Sequence, residues 1–294
     1  MSENKLPNFF IIGAHKGGTT SLYQYMKSIP EIYFPKYIKE PHYFVNPNMN
    51  YFPRPIKDFQ NYQKLFQGVK NEQAIGEASA TYLAHPETPS LIHEKIPNAK
   101  IIVSLRNPIN RTQSAFYGPK TNKVRSFHNT LKIAFNDKNF EKPLSFFLLK
   151  NSFYSDALEK YQDTFGKGNV LVLIFEEWVK QPKNAIEDIQ DFLNLPKTKF
   201  EIPNKAYNQF IETRIPRIEL FNNILTNVGI IKFSRSYIPL STRKFLGDKV
   251  LSKKTESKPK MRDDDKELLK KYFDDDVKRL SKNLKRKLPW NEFN

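Results

Sequence analysis

The segment that most constrains this chain lies near its start: Phe9–Met26, reading FFIIGAHKGGTTSLYQYM. An apolar run, Phe9 to Ile12, has the character of a buried strand; a glycine-bearing turn follows, and hydroxyl residues open a helical pattern. In a strand–turn–helix unit of this kind, free backbone N–H groups and the positive end of the helix converge on one spot, which makes a seat for phosphate. Gly13 and Gly18 hold the ends of a GxxxxG frame with Gly17 beside the second, and glycine suits positive φ and close approach to a ligand. A triphosphate-binding loop of the form GxxxxGK[ST] carries its lysine directly after the second glycine. Here Thr19 fills that slot, and the lysine is Lys16, inside the loop. From there it would meet the first phosphate, near a bridging oxygen, and not the β- and γ-phosphates. That argues against an ATPase or kinase and for a donor with a single 5′-phosphate.

The rest of the chain alternates short apolar runs with amphipathic helical patterns, the signature of α/β folds. We expect a P-loop-like parallel β-sheet flanked by helices, with a largely helical C-terminal part, all in a single domain spanning 1–294. Residues 1–200 would form the nucleotide-binding core and 201–294 its helical continuation. Expected strands are Phe9–Ile12, Ala74–Gly76, Ile101–Leu105 and Val170–Phe175, each rich in the side chains that buried parallel strands require. Expected helices are Thr20–Ser28, Pro86–Lys95, Pro108–Phe116, Leu144–Phe165 and Lys183–Leu193, two of them opened by proline. Beyond Glu201 the strand signal fades, and Arg217–Leu225, Arg243–Leu251 and Asp263–Leu284 read as helices. The basic, proline-broken stretch KKTESKPKMR reads as a loop, either solvated surface or a cover over a nucleotide.

Composition narrows the chemistry. The chain of 294 residues has no cysteine, so disulfides, thiolate metal sites and cysteine nucleophiles are excluded. The absence suits a reducing compartment. With no secretory pattern and no stretch near the roughly 20 apolar residues of a membrane span, we expect a cytoplasmic protein. The formal net charge of +17 favours anionic partners, among them a nucleotide, an acidic polysaccharide or an anionic membrane touched peripherally. No recognisable nucleic-acid module or aromatic-studded basic stripe accompanies that charge, so we expect no nucleic acid partner. No HExxH, cysteine pair or clearly placed acidic cluster calls for a metal, and none is expected.

The loop GAHKGGTT resembles the 3′-phosphoadenosine 5′-phosphosulfate (PAPS) loop of the sulfotransferase family, which carries patterns such as PKSGTT or RKGGT. The resemblance is closest to the branch that holds heparan sulfate sulfotransferases and bacterial carbohydrate sulfotransferases. That branch has a KEPHFF-like segment about two dozen residues on, matched here by Lys39-Glu40-Pro41-His42-Tyr43-Phe44. A further family element is a strand followed by RxP and, eight residues after the arginine, a serine on the next helix; IIVSLRNPINRTQSAFY supplies Arg106 and Ser114. The helix–strand–acidic stretch Tyr154–Glu177, the segment Gly76–Leu83 and the C-terminal PKMRDDDKELLKKYFDDDVKRL also resemble family elements.

The resemblance implies a sulfotransferase of the PAPS-dependent kind, acting on a hydroxyl or amine of an acceptor such as a saccharide or glycolipid and releasing adenosine 3′,5′-bisphosphate. It implies that Lys16, Gly17, Gly18, Thr19, Thr20 and Ser21 hold the 5′-phosphate end, with Lys16 also catalytic, and that Arg106 and Ser114 bind the 3′-phosphate. A planar guanidinium fork suits phosphate oxygens, and a serine one turn into a helix can add a hydrogen bond. Glu40 is the implied base, made basic by apolar surroundings from Pro41, Tyr43 and Phe44, and His42 is a second candidate; His85 is a more remote one. One departure stands out: heparan-modifying relatives carry a lysine near the position of Ala78, which puts a heparan-like acceptor in question. The rival readings are a P-loop kinase, which needs the missing lysine after Gly18, and a basic nucleic-acid-binding protein.

Overall fold

The computed structural model describes residues 5–45, 56–118, 126–198, 200, 213–216, 252–255 and 260–294. Its centre is a five-stranded sheet in the order β2-β3-β1-β4-β5, every pairing parallel. The strands are β1 (Phe9–Gly13), β2 (Ile32–Tyr33), β3 (Ala74–Ala78), β4 (Lys100–Leu105) and β5 (Val170–Ile174). All five residues of β1 are buried, as is every residue of β3. Alternate side chains serve opposite faces: Phe10 and Ile12 join one apolar layer with Ile101, Val103 and Leu105, whereas Phe9 and Ile11 join the other with Ile102. Each fully buried side chain of this size contributes roughly 1.5–3 kcal/mol.

Helices cover both faces. On one side lie α1 (Thr19–Met26) and α9 (Pro182–Phe192), which bury Leu22, Met26, Ile186 and Ile189. On the other lie α3 (Thr88–Lys95), α4 (Pro108–Phe116), α7 (Ser155–Phe165) and α10 (Asp263–Asn283), through Ile92, Ile109, Leu158 and Leu269. Shorter helices complete the set: α2 (Phe59–Lys64), α5 (Phe127–Phe135), α6 (Pro143–Leu148) and α8 (Phe175–Trp178). The chain leaves β1 toward β2 and β3, then crosses back to β4 on the other flank. The carboxyl end of β1 is therefore a topological switch point, where α/β sheets open a crevice for ligands.

Several expectations are corrected. The helix expected over Leu144–Phe165 is broken into α6, a 3₁₀ turn at Lys150–Ser152, and α7. The break has partners on both sides. Buried Arg111 donates to the carbonyl of Phe147 at 3.1 Å and to the carbonyl of Leu148, capturing the end of α6. Asp276 of α10 accepts the N–H groups of Tyr154 at 2.8 Å and Ser155 at 3.0 Å, capping α7. Phe175 opens α8 and does not extend β5.

The strand β2 and the helices α2 and α5 escaped the sequence reading, although Asp58 and Ser126 stand at the two helix starts and accept N–H groups three residues on. The C-terminal part is not purely helical. Thr213–Pro216 and Ser252–Thr255 pair as an antiparallel ribbon, the second strand overlapping the expected loop. The helices expected over Arg217–Leu225 and Arg243–Leu251 lie outside the described residues, whereas α10 matches the expected Asp263–Leu284 closely. Among the described residues no helix is long and apolar enough to cross a membrane.

Candidate active site

The loop between β1 and α1 is pinned from beneath by the end of β4. Ala14 donates its N–H to Ser104 O at 2.7 Å, and Ser104 returns its hydroxyl to Gly17 O at 2.6 Å. Trp178 Nε1 donates to the same hydroxyl at 2.8 Å, so α8 shares the junction. There is no room for side chains here. A Cβ on Gly17 would lie 2.5 Å from Ser104 O, and one on Gly18 would lie 2.6 Å from the rings of Phe175 and Trp178. Gly18 also has φ of 88° as the residue that caps α1, a left-handed conformation that glycine adopts freely. Gly17 spends its own N–H on Ala14 O at 2.7 Å, so its contribution is space and not the donor that the sequence suggested.

Lys16 is the tip of the loop, with φ of 69°. Its ammonium reaches the turn that follows α4, standing 3.6 Å from where a Cβ of Gly118 would sit, four residues beyond half-buried Ser114. Desolvation, and then the neighbouring cations Arg106 and Arg111, lower its pKa, while Glu40 acts against them. Arg106 leaves the end of β4 and donates to the carbonyl of Lys16 at 3.2 Å. Its guanidinium lies over the Phe175 ring at 4.5 Å. Its Nε–H is buried without a hydrogen-bond partner in the described structure. A guanidinium held on one face with a buried donor unspent is prepared for an anion. The next residues explain why α4 starts here: Asn107 caps it by accepting the N–H groups of Ile109 and Asn110, and Pro108 takes the first position.

Opposite the loop, residues 39–44 run beside the end of β3. The Glu40 N–H donates to Ala78 O at 3.0 Å, and both Glu40 and His42 have left-handed backbones, with φ of 63° and 52°. Lys39 Nζ holds Glu40 Oε1 at 2.8 Å and reaches Thr20 Oγ1 at 3.4 Å, which ties this segment to the start of α1. Glu40 Oε2 lies 3.7 Å from His42 Nε2. Burial lowers the His42 pKa to about 4, against the opposing pull of Glu40, so its imidazole is neutral near pH 7.

The apolar pocket expected around Glu40 is not what surrounds it. Its side chain is 33% exposed and ion-paired to Lys39. Tyr43 instead stacks on Tyr62 at 4.6 Å, and Phe44 packs edge-on against both Tyr62 at 5.3 Å and Phe10 at 5.7 Å, so both rings join the aromatic cluster around Tyr62. A cleft of about 210 Å³ is lined by His42, Tyr43, Phe44 and Leu91. His85 is fully buried against Phe146, with centroids 4.9 Å apart, and offers no open face to an acceptor.

The structure thus brings Lys16, Thr19, Thr20, Arg106, Glu40 and His42 to one end of the sheet, with Ser114 on the adjoining helix. Sequence reasoning missed Lys39, although it directly precedes Glu40. It also missed Arg111, which donates to the carbonyl of His15 at 3.4 Å and supports the loop from below. His15, T-shaped against Phe147 at 5.5 Å, is held neutral by burial and then by Arg111 and Lys16. One group of metal-ligand type comes together among the described residues, His128, Asp264 and Asp265 on α5 and α10. His128 already pairs with Asp265 at 2.6 Å, and Arg262 with Asp264 at 2.7 Å.

The chain is 27% identical to the crystal structure of a sulfotransferase from Alicyclobacillus acidocaldarius, with a TM-score of 0.72 over 98% of this chain and 99% of that one. It is 26% identical over 195 residues to human heparan sulfate glucosamine 3-O-sulfotransferase 5, covering 65% of this chain and 54% of that protein. It is 28% identical over 249 residues to human carbohydrate sulfotransferase 15, covering 65% of this chain and 44% of that protein. The chain therefore spans about half the length of these curated relatives. The family model for the sulfotransferase domain matches residues 6–281, and the chain belongs to the sulfotransferase family.

Proposed function

We propose that the protein transfers a sulfuryl group from PAPS to a hydroxyl or amine of a saccharide acceptor. The observation that carries this reading is the junction of Arg106 with Lys16. A half-buried guanidinium whose buried Nε donor is unspent touches the carbonyl of the one lysine in a glycine loop that has no lysine after Gly18. A 3′-phosphate on Arg106 and Ser114, with a 5′-phosphate on the loop and the start of α1, suits an adenosine 3′,5′-bisphosphate better than ATP. The orphaned Arg106 Nε fits such a ligand.

PAPS would supply a sulfuryl group on a bridging phosphate oxygen. Transfer forms a bond from acceptor oxygen or nitrogen to sulfur and breaks the sulfur–oxygen bond to phosphate, whose electron pair leaves with the bisphosphate. The acceptor proton passes to the Glu40 carboxylate, at the oxygen that faces His42. Neutral His42 then serves to orient that carboxylate or the acceptor itself. Lys16 places positive charge where the leaving oxygen becomes negative, and Thr19 and Thr20 stand at the positive end of α1.

The saccharide class rests on relatives that are heparan sulfate and carbohydrate sulfotransferases, and on the net charge of +17, which favours an acidic glycan. Ala78, where heparan-modifying relatives resemble one another in carrying lysine, argues for a different saccharide from theirs. The cysteine-free sequence suits a cytoplasmic setting. The test is incubation of the protein with ³⁵S-labelled PAPS and a panel of acidic and neutral glycans. Label in a glycan fraction supports the reading; label confined to lipid or small-molecule acceptors would remove the saccharide.

A further inference from the structure

β3 reads AIGEA, a wholly buried strand with one ionisable side chain, Glu77, which is 1% exposed. Among the described residues its carboxylate is met by hydroxyl protons alone. Tyr62 donates to Oε2 at 2.8 Å, Tyr82 donates to Oε2 at 3.2 Å, and Ser79 donates to Oε1 at 2.6 Å. A hydroxyl has a single proton. Once Tyr82 and Ser79 have given theirs to Glu77, their oxygens can only accept from anything else they meet. What they meet is the backbone of the Glu40–Phe44 segment: Phe44 N–H donates to Tyr82 Oη at 3.1 Å, and His42 N–H donates to Ser79 Oγ at 3.4 Å. With the Glu40 N–H on Ala78 O, every second N–H of the segment is taken by β3 or its continuation. Tyr62 completes the cluster by stacking on Tyr43.

We infer that Glu77 is a positioning residue: its buried carboxylate fixes the direction of the hydroxyl bonds that hold the Glu40–Phe44 segment, and so aims Glu40 and His42 at the acceptor. The inference rests on the proposed function for the roles of Glu40 and His42, but its structural half stands apart from them. Glu40 and His42 sit in left-handed conformations that non-glycine residues hold only when their surroundings impose it. The imposed bonds supply that constraint. A proton on Glu77 would reverse one bond of the network, because a protonated carboxyl donates where it had accepted. Where that bond is the one to Tyr82 or Ser79, the hydroxyl has to turn its own proton away, toward the backbone N–H it had accepted.

The groups facing Glu77 are Tyr62 of α2, Tyr82 and Ser79 beyond β3, Tyr161 of α7 and, further off, Glu40. Burial is the dominant influence and raises the Glu77 carboxyl to about 7, against the three hydroxyl donors, so the switch falls within an ordinary working range.

The test is site-resolved amide hydrogen exchange of the full chain at pH 6 and pH 8, corrected for intrinsic exchange, in wild type and Glu77→Gln. Protection at His42 and Phe44 should fall about tenfold or more from pH 8 to pH 6 in the wild type and stay low and flat in the variant. Amides of β1 should keep their protection in both. Equal protection of His42 and Phe44 in the two proteins at pH 8 would overturn the inference. If Glu77→Gln does not fold, Tyr82→Phe should release the Phe44 amide alone and Ser79→Ala the His42 amide alone; no release in either would equally overturn it. Glu40→Gln separates the two readings. Full turnover in that variant removes Glu40 as base, while the exchange result still decides the role of Glu77.

Discussion

A guanidinium N–H of Arg106 donates to the backbone carbonyl of Lys16 at 3.2 Å, so the residue read as holding one phosphate also shapes the loop read as holding the other. The two sequence elements that resemble a PAPS site, 90 residues apart, are one physical unit. Arg106→Ala should therefore weaken adenosine 3′,5′-bisphosphate binding by about 10- to 100-fold, the scale of a lost charge-assisted hydrogen bond. Arg106→Lys should recover only part of it, since an ammonium cannot both stack on Phe175 and fork a phosphate. Calorimetric titration measures both, and wild-type affinity in the alanine variant would refute the assignment.

Lys16→Ala should lower turnover by on the order of a hundredfold or more, the usual scale for removing charge from a developing anion. Single-turnover rates with saturating PAPS would isolate the transfer step from binding. A variant that loses only affinity would move Lys16 from catalysis to binding.

Glu40→Gln should cost roughly 10²–10⁴-fold in turnover while leaving bisphosphate affinity unchanged. Turnover rates and calorimetric titration measure the two effects, and wild-type turnover in the glutamine variant would remove Glu40 as base.

Gly18→Ala should destabilise the fold by about 1–3 kcal/mol, combining backbone strain with overpacking against Phe175 and Trp178. Urea melts measure the loss, and wild-type stability in the variant would contradict the packing of α8 on the loop.

Glu77 predicts a pH dependence of stability with a definite sign. Between pH 4.5 and about 7 the folded protein keeps a proton that the unfolded chain has released, so this group makes stability fall as pH rises through that window. His42 and His85, both lowered to about 4, act in the opposite sense between pH 4 and 6.5. The measurement is therefore the difference between wild type and Glu77→Gln, in which the histidines cancel. That difference should shift by up to about 3 kcal/mol from pH 5 to pH 8, in the direction of a less stable wild type at high pH.

Much of this was legible in the sequence. The sheet was readable because its strands are buried on both faces and so form short unbroken apolar runs, and α4 because Asn107 and Pro108 mark its start. The break between α6 and α7 was not readable, since the groups that cause it, Arg111 and Asp276, come from elsewhere in the chain. The same holds at the site. Lys16, Glu40 and Arg106 stand in local motifs, whereas the surroundings of Glu40 depend on which way Tyr43 and Phe44 turn, and that is settled by Tyr62 and Phe10. Glu77 did carry a signal, a lone charge inside a buried strand, but its partners Tyr62 and Tyr82 lie on either side of it in the chain and meet only in the fold.

The central claim is that this loop and Arg106 form a site for a 3′,5′-bisphosphate. Calorimetric titration with adenosine 3′,5′-bisphosphate, with adenosine 5′-monophosphate and ATP as controls, tests it most directly. The account predicts clear preference for the bisphosphate, lost in Arg106→Ala. Absence of binding, or tighter binding of ATP with Mg²⁺, would contradict it.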